Sequence, residues 1–425
     1  MPKIEALKRA IAEGALDHTF ATLYPNGAEA ARKRYSDAVD AYADLFGTED
    51  DVALFSAPGR TEIGGNHTDH NHGRVLAGSV DLDVIAVAAK TSDGFARVHS
   101  QGFRPDVVDL SDLSVQKDEV GKSPALLRGV ARGFADRGLK VGSFRAYTTS
   151  NVPKGSGVSS SAAFEVLLGT VMDHFFNEGK LPAIEIAKIA QFAEREYFGK
   201  PCGLMDQAAC ALGGVAMIDF ADNANPVVEK LAFSLEEAGL KLCLVSVGGD
   251  HADLTDCYAA IPARMKAVAQ VFGKETLSQV SWEEFFAKLP TVREKTDDTA
   301  TLAALHFLLD TRRVLLQKDA LLKGDVSAFL NLVKESGHSS FEALQNVLVP
   351  REGHSQGAAI ALNLAANLLK EKGAWRIHGG GFGGTTQNFV PAEQVPAFKA
   401  AMESVFGENS CQVLSIRPVG PIRLI

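Results

Sequence analysis

Apolar positions change period several times along the chain, and the changes mark out its elements. In AEAARKRYSDAVDAYADLF (28–46) apolar residues recur three and four apart, which predicts a helix, and residues 3–46 as a whole read as helical. VALFSAP follows as a strand, and Pro58-Gly59 is expected to end it where a glycine-rich stretch begins. VDLDVIAVAAK and FARVHS read as strands, the first apolar enough to be covered on both faces. PALLRGVARGFADR (124–137) reads as a helix with proline in its first turn. SFRAYTTS, NVPKGSGV and SSSAAFEVLLGTVMDHFF then give strand, loop and amphipathic helix, in that order. Residues 184–199 continue as helix, and GLMDQAACAL opens another. The second half supplies a strand in KLCLVSV and long helices around 257–272, 300–323 and 354–371. A hairpin with a glycine-packed turn follows in RIHGGGFGGTTQNFV, and VLSIRPVG closes the chain as a strand. Strands and helices mix without βα alternation or internal repeat, which predicts an α+β chain divided near residue 220.

Composition narrows the function classes. With 425 residues, 46% of them hydrophobic, the chain can bury more than one small core. Its net charge is −9, and lysine and arginine form no basic stripe. Neither nucleic acid nor an anionic membrane surface is therefore an expected partner. An anionic ligand would have to be held locally, by backbone amides or one placed arginine. Five cysteines, with no CxxC pair, favour a reducing compartment and give no metal framework. The N-terminus reads as an amphipathic charged helix rather than a secretory signal, and no run of 18 apolar residues exists, so the expected location is cytoplasmic.

Two loops carry candidate chemistry. PKGSGVSSSAA (153–163) joins a strand to a helix. Gly155 and Gly157 let the backbone come close to a ligand, and Ser159, Ser160 and Ser161 place hydroxyls and amides at a helix N-terminus, where an anion is favoured. A serine cap after a glycine turn would look the same locally. There is no GxxxxGK[ST], so a phosphate site here is not of the Walker type. GRTEIGGNHTDHNHG (59–73) packs three histidines, an aspartate and an arginine among glycines. HxxHxH with Asp69 alone does not complete a metal shell. A hexose, which presents a ring of hydroxyls, is served by His and Asp at fixed positions on a backbone that can approach closely.

PKGSGVSSSAA is similar to the second motif of the GHMP small-molecule kinases. The earlier loop resembles the signature of the galactokinases among them, roughly GRxNxIGEHTDYNxG. GGGFGG (379–384) resembles the third motif, and PCGLMDQ (201–207) the segment that carries the catalytic aspartate. The match runs in order from about residue 46 to the C-terminus. The resemblance implies a two-lobe fold. A lobe similar to ribosomal protein S5 domain 2 would span 1–220 with the final strand 411–425, and a ferredoxin-like lobe 221–410, with sugar and nucleotide between them. It implies phosphorylation of the C1 hydroxyl of galactose, with ATP as donor and Mg²⁺ as cofactor. Asp206 would accept or orient the hydroxyl proton, and Arg60 would sit by the anomeric oxygen and the transferring phosphate. His67, Asp69 and the Gly203 amide would bind the sugar. Gly155, Ser156, Gly157, Val158, Ser159, Ser160 and Ser161 would hold the ATP phosphates, and Ser161 with Glu194 the metal.

The chain departs from the pattern in places. Asn66 stands where the family has a glutamate facing the sugar's 6-hydroxyl. That opens galacturonate, N-acetylgalactosamine or arabinose as alternative substrates, because an amide would tolerate a C6 carboxylate. His70 replaces a tyrosine. GGDHADLTDCY replaces an asparagine-rich segment but keeps the spacing from His251 to Tyr258, so Tyr258 is expected to reach the sugar. No tryptophan lies near residue 124 to stack an adenine, and His378, where the family commonly has threonine, reads as a loop residue. A non-catalytic sugar sensor on the same fold is a further alternative. The intact Ser161-Ala162-Ala163, Arg60 and Asp206 argue against it.

Overall fold

A computed structural model describes residues 1–153, 157–248, 254–351 and 353–425. Helices α1 (Ile4–Ala12), α2 (Asp17–Leu23) and α3 (Ala28–Phe46) open the chain. On α3 the buried Tyr35, Ala38, Val39 and Tyr42 fall on one stripe, as the spacing predicted. Strands β1 (Val52–Gly64) and β2 (Arg74–Lys90) form a long antiparallel pair. β3 (Phe95–Ser100), β4 (Asp106–Asp109), α4 (Ser123–Asp136) and β5 (Phe144–Ser150) follow, then α5 (Ser160–Phe176), α6 (Ala183–Phe192) and α7 (Met205–Leu212).

The first sheet runs in the order β12-β1-β2-β5-β3-β4, where β12 is the short Ile422–Arg423 near the end of the chain. β6 (Val215–Asp219) pairs with the early half of β2, and β7 (Val227–Leu231) with β6, so this sheet continues past residue 220. Along β2 the side chains alternate between two cores. Val84, Ala86 and Ala88 join the cluster packed with α4 to α7, while Ile85, Val87 and Ala89 face the cluster under α1 to α3. The expectation of a strand covered on both faces is met.

The second sheet has the order β11-β8-β10-β9, built from β8 (Leu240–Gly248), β9 (Ala374–Ile377), β10 (Gly384–Pro391) and β11 (Cys411–Leu414). β9 and β10 form the expected hairpin around the third glycine loop. Helices Gly357–Leu369 and Val395–Phe406 pack on this sheet, and α8 (Thr255–Val271) with helix Asp298–Leu322 forms a further cluster.

Two sequence expectations change here. Pro58-Gly59 does not end β1. The strand shifts register between Pro58 and Arg60 and again between Glu62 and Gly64, and runs on. Proline lacks a ladder donor, and a bulge accommodates it. The closing strand does not return whole to the first lobe: β11 extends the second sheet, and only β12 (Ile422–Arg423) pairs with β1. Between them Arg417, fully buried, donates to Ser56 Oγ at 2.6 Å and to Asp83 Oδ2 at 3.2 Å. Among the described residues no helix is long and apolar enough to cross a membrane, and all five thiols are free.

Candidate active site

The β1 bulge places Arg60 between two loops. Its N–H donates to Val158 O at 3.1 Å and its Nη1 to Gly157 O, which fixes it against the phosphate-type loop. Its Nε and Nη2 both lie 2.8 Å from Asp206 Oδ1. Asp206 is the second residue of α7, and its other oxygen accepts from the Ser159 hydroxyl. Ser159 caps α5 in the left-handed region, at φ 59°. Burial pushes the Asp206 carboxyl up, but Arg60, the Ser159 bond and Lys200 outweigh it and hold it below the usual carboxylate range. Asp206 is ionised. Gly155 and Ser156 lie outside the described residues, as does His251. Gly157, Val158, Ser159, Ser160 and Ser161 lead into α5 as expected.

The two expected metal ligands meet. The Ser161 hydroxyl donates to Glu194 Oε1 at 3.0 Å. Glu194 sits not on a regular helix but on a single π turn, Ala193–Phe198, of the kind often found at functional sites. Lys200 Nζ also reaches Oε1, at 2.9 Å, and Gln207 Nε2 donates to Oε2 at 2.7 Å. Among the described residues no three His, Cys, Asp or Glu are grouped to hold a metal. A hard oxygen pair, Ser161 and Glu194, is nonetheless a donor set that suits Mg²⁺ with phosphate oxygens and water. Beside it lies Glu165, which sequence reading missed: fully buried, one oxygen unpartnered, its carboxyl pushed up by burial and by Glu194.

The histidine motif is wired internally. Asn71 Nδ2 donates to His70 Nδ1 at 3.0 Å, so His70 carries its proton on Nε2 and gives it to His67 Nδ1 at 3.1 Å. His67 Nε2 in turn donates to Gly380 O at 2.9 Å. Burial holds both rings neutral, His67 near a pKa of about 3 and His70 about 4. Both nitrogens of His67, expected to face the sugar, are engaged by protein here, and the ring tethers the third glycine loop. Asn66, also expected to face the sugar, is likewise engaged by protein. Its Nδ2 donates to Glu62 Oε1 (3.0 Å) and Gly379 O (2.7 Å), while its Oδ1 accepts from Ser340 Oγ (3.1 Å) and Asn346 Nδ2 (2.9 Å). Nothing is left for a substrate hydroxyl.

Asp69, Gly203 and Tyr258, the other residues expected at the sugar, lie near this motif. Asp69 Oδ2 occupies the space that a Cβ on Gly203 would need, 1.8 Å away, so a side chain at 203 would push the Asp69 carboxylate aside. Burial, then the nearby Asp206 charge, raises the Asp69 carboxyl. The Tyr258 ring, on α8, lies 5.0 Å from that of His67 and against Gly380.

The missing carboxylate has moved rather than vanished. The galactokinase signature has asparagine where Glu62 stands and glutamate where Asn66 stands, so the two residue types are exchanged. Glu62 is buried and paired with the fully buried Arg376 of β9 at 2.6 Å. Reading the signature at both positions would have shown the exchange. Asn66→Glu alone is accordingly expected not to retune the sugar preference but to bury a second carboxylate about 3 Å from Glu62, at a cost of about 3 kcal/mol or more. The double exchange with Glu62→Asn recovers most of that. Thermal melts of the three variants check it; a fully stable single variant with an altered sugar profile would contradict it.

Fold and cluster together define a class. A family model described as the GHMP kinases N terminal domain matches residues 125–214, which span the loop of Gly157–Ser161, Glu194 and Asp206. The galactokinase galactose-binding signature matches residues 40–90. The chain is 30% identical over 373 residues to a galactokinase of Streptomyces coelicolor, covering 86% of this chain and 91% of that protein. It therefore belongs to the galactokinase family. Among solved structures, Lactococcus lactis galactokinase complexed with galactose superposes with a TM-score of 0.77 at 22% identity, over 90% of this chain and 98% of that one. Methanococcus jannaschii mevalonate kinase does so at 0.59 and 12%, over 87% and 99%. Both show the same fold.

Proposed function

We propose that the protein transfers the γ-phosphoryl group of ATP to the C1 hydroxyl of galactose, giving galactose 1-phosphate and ADP. One observation carries this reading. Arg60 ties Asp206 to the carbonyl of Gly157, and the Ser159 hydroxyl closes the circuit, so a carboxylate and a guanidinium sit at the mouth of an anion-binding helix N-terminus. Phosphoryl transfer needs mainly alignment and charge neutralisation, and this arrangement offers both. Asp206, held ionised, accepts the C1 hydroxyl hydrogen and aims its oxygen in line, and Arg60 stabilises charge on the transferring group. Asp69, the Gly203 amide and Tyr258 hold the sugar, and the amides of Gly157–Ser161 hold the phosphates. Ser161 and Glu194 would hold Mg²⁺, which when bound would neutralise phosphate charge.

The Asp206 charge already raises the Asp69 carboxyl, and two carboxylates in one site favour a neutral sugar over a C6 acid. With Asn66 saturated by protein, the motive for galacturonate falls away. The sheet memberships support two lobes, with Val227–Leu231 and the last residues in the first lobe and Cys411–Leu414 in the second. Unpaired thiols support a cytoplasmic setting.

A panel of galactose, galacturonate, N-acetylgalactosamine and arabinose, scored for ADP release, tests the substrate. Galactose is expected to lead by at least about tenfold in kcat/KM, the range a lost polar contact commands. ADP release with galacturonate and none with galactose would overturn the assignment. Galactose binding without any ADP release would favour the sensor.

A further inference from the structure

His378, which the sequence left as a loop residue, is 3% exposed where β9 enters the third glycine loop. Its Nε2 faces two groups. The Glu62 backbone N–H, at 3.2 Å, can only donate. The Thr61 hydroxyl, at 3.1 Å, already accepts from Gln387 Nε2 at 2.6 Å, which leaves its own hydrogen for the imidazole. Nε2 is thus the acceptor, and the single proton of the neutral ring sits on Nδ1. Burial, then the charges of Arg60 and Arg376, keep the ring from taking a second proton.

Among the described residues Nδ1 has no acceptor. A buried donor left unpaired is costly, so where it points matters. It points at Gly157, where a Cβ would lie 2.8 Å from Nδ1 and where φ is +73°. On the same residue Arg60 donates to the carbonyl. Glycine keeps the loop thin at this point, and any side chain would seal the donor off.

We propose that the Nδ1–H of His378 donates to a phosphoryl oxygen of the bound nucleotide beside Gly157, which makes His378 a phosphate-binding residue of this chain. The inference rests on the reading of Gly157–Ser161 as the phosphate loop. The division of labour is chemical: Arg60 supplies positive charge, and His378 adds a directed hydrogen bond without adding charge.

The full-length protein tests it through His378→Ala, His378→Asn and His378→Gln, with ADP affinity measured by calorimetry and KM for ATP and galactose measured separately. Asparagine places its amide nitrogen where Nδ1 was, and glutamine places its own where Nε2 was. His378→Ala is expected to weaken ADP binding and raise KM for ATP by about 10- to 100-fold, the size of a hydrogen bond to a charged oxygen, with KM for galactose within about twofold. His378→Asn is expected to restore most of that and His378→Gln little of it, a comparison that stands even where the alanine variant folds poorly. ADP binding unchanged in His378→Ala, or rescued as well by glutamine as by asparagine, overturns the proposal. A wild-type chain that fails to bind ADP overturns instead the phosphate-loop reading, and this inference with it.

Discussion

Asp206→Asn is expected to lower turnover about 10³-fold while galactose affinity changes by no more than a few fold. The carboxylate is held ionised at the end of Arg60, with Ser159 on its second oxygen, so its geometry is fixed before substrate arrives. What it contributes rises as the C1 hydroxyl gives up its proton, and an interaction that strengthens only there is lost from kcat rather than from binding. Asparagine is nearly isosteric and can still touch Arg60, but it cannot take the proton; removing such a group typically costs about 10²- to 10⁴-fold. Single-turnover kinetics with separate measurement of galactose binding resolve the two effects. Near-normal turnover would remove Asp206 from the chemistry.

The largest effect on stability is expected from Arg376→Met. Arg376 of β9, in the second sheet, is fully buried and its Nη2 lies 2.6 Å from Glu62 of β1, in the first. Removing one partner of a buried pair costs about 3–5 kcal/mol, because the other charge is left in a low dielectric. Glu62 is already pushed up to about 7 by burial, against the pull of Arg376. Without that pull the folded state keeps a proton that the unfolded chain loses above its ordinary carboxylate pKa. The variant's stability therefore falls as pH rises through and above that window. Melts at pH 5.5 and 8.5 should show a deeper deficit at the higher value. A deficit that is small and independent of pH would mean that the pair does not join the two sheets energetically. Adding Glu62→Leu should recover part of the loss and flatten its pH dependence.

Much of this was legible locally. The loop of Gly157–Ser161, Arg60, Asp206 and Glu194 lie on stretches singled out by their resemblance to kinase motifs, and the structure brings them together; the alternating faces of β2 follow from period alone. What escaped was set by partners far along the chain. The protein partners of Asn66 run through Glu62 to Arg376, 314 positions beyond Glu62, which no reading of the loop alone reaches. The His67 valences are spent on Gly380, and His378 is oriented by Thr61, Glu62 and Gln387, none of which a local window contains. Pro58-Gly59 carried a correct local signal, an interrupted ladder, but pairing with β2 on both sides turned the interruption into a bulge. Helical periodicity does not separate a π turn from an α turn, so the backbone under Glu194 could be seen only in three dimensions.

The position of the transferred phosphate tests the central claim most directly. Galactose and ATP incubated with the protein should yield ADP and galactose 1-phosphate in equal amounts, with ³¹P coupling to the anomeric proton placing the phosphorus on the C1 oxygen. Phosphate on any other sugar oxygen, or ATP consumed at the same rate with galactose absent, would contradict an acceptor site built around Arg60 and Asp206.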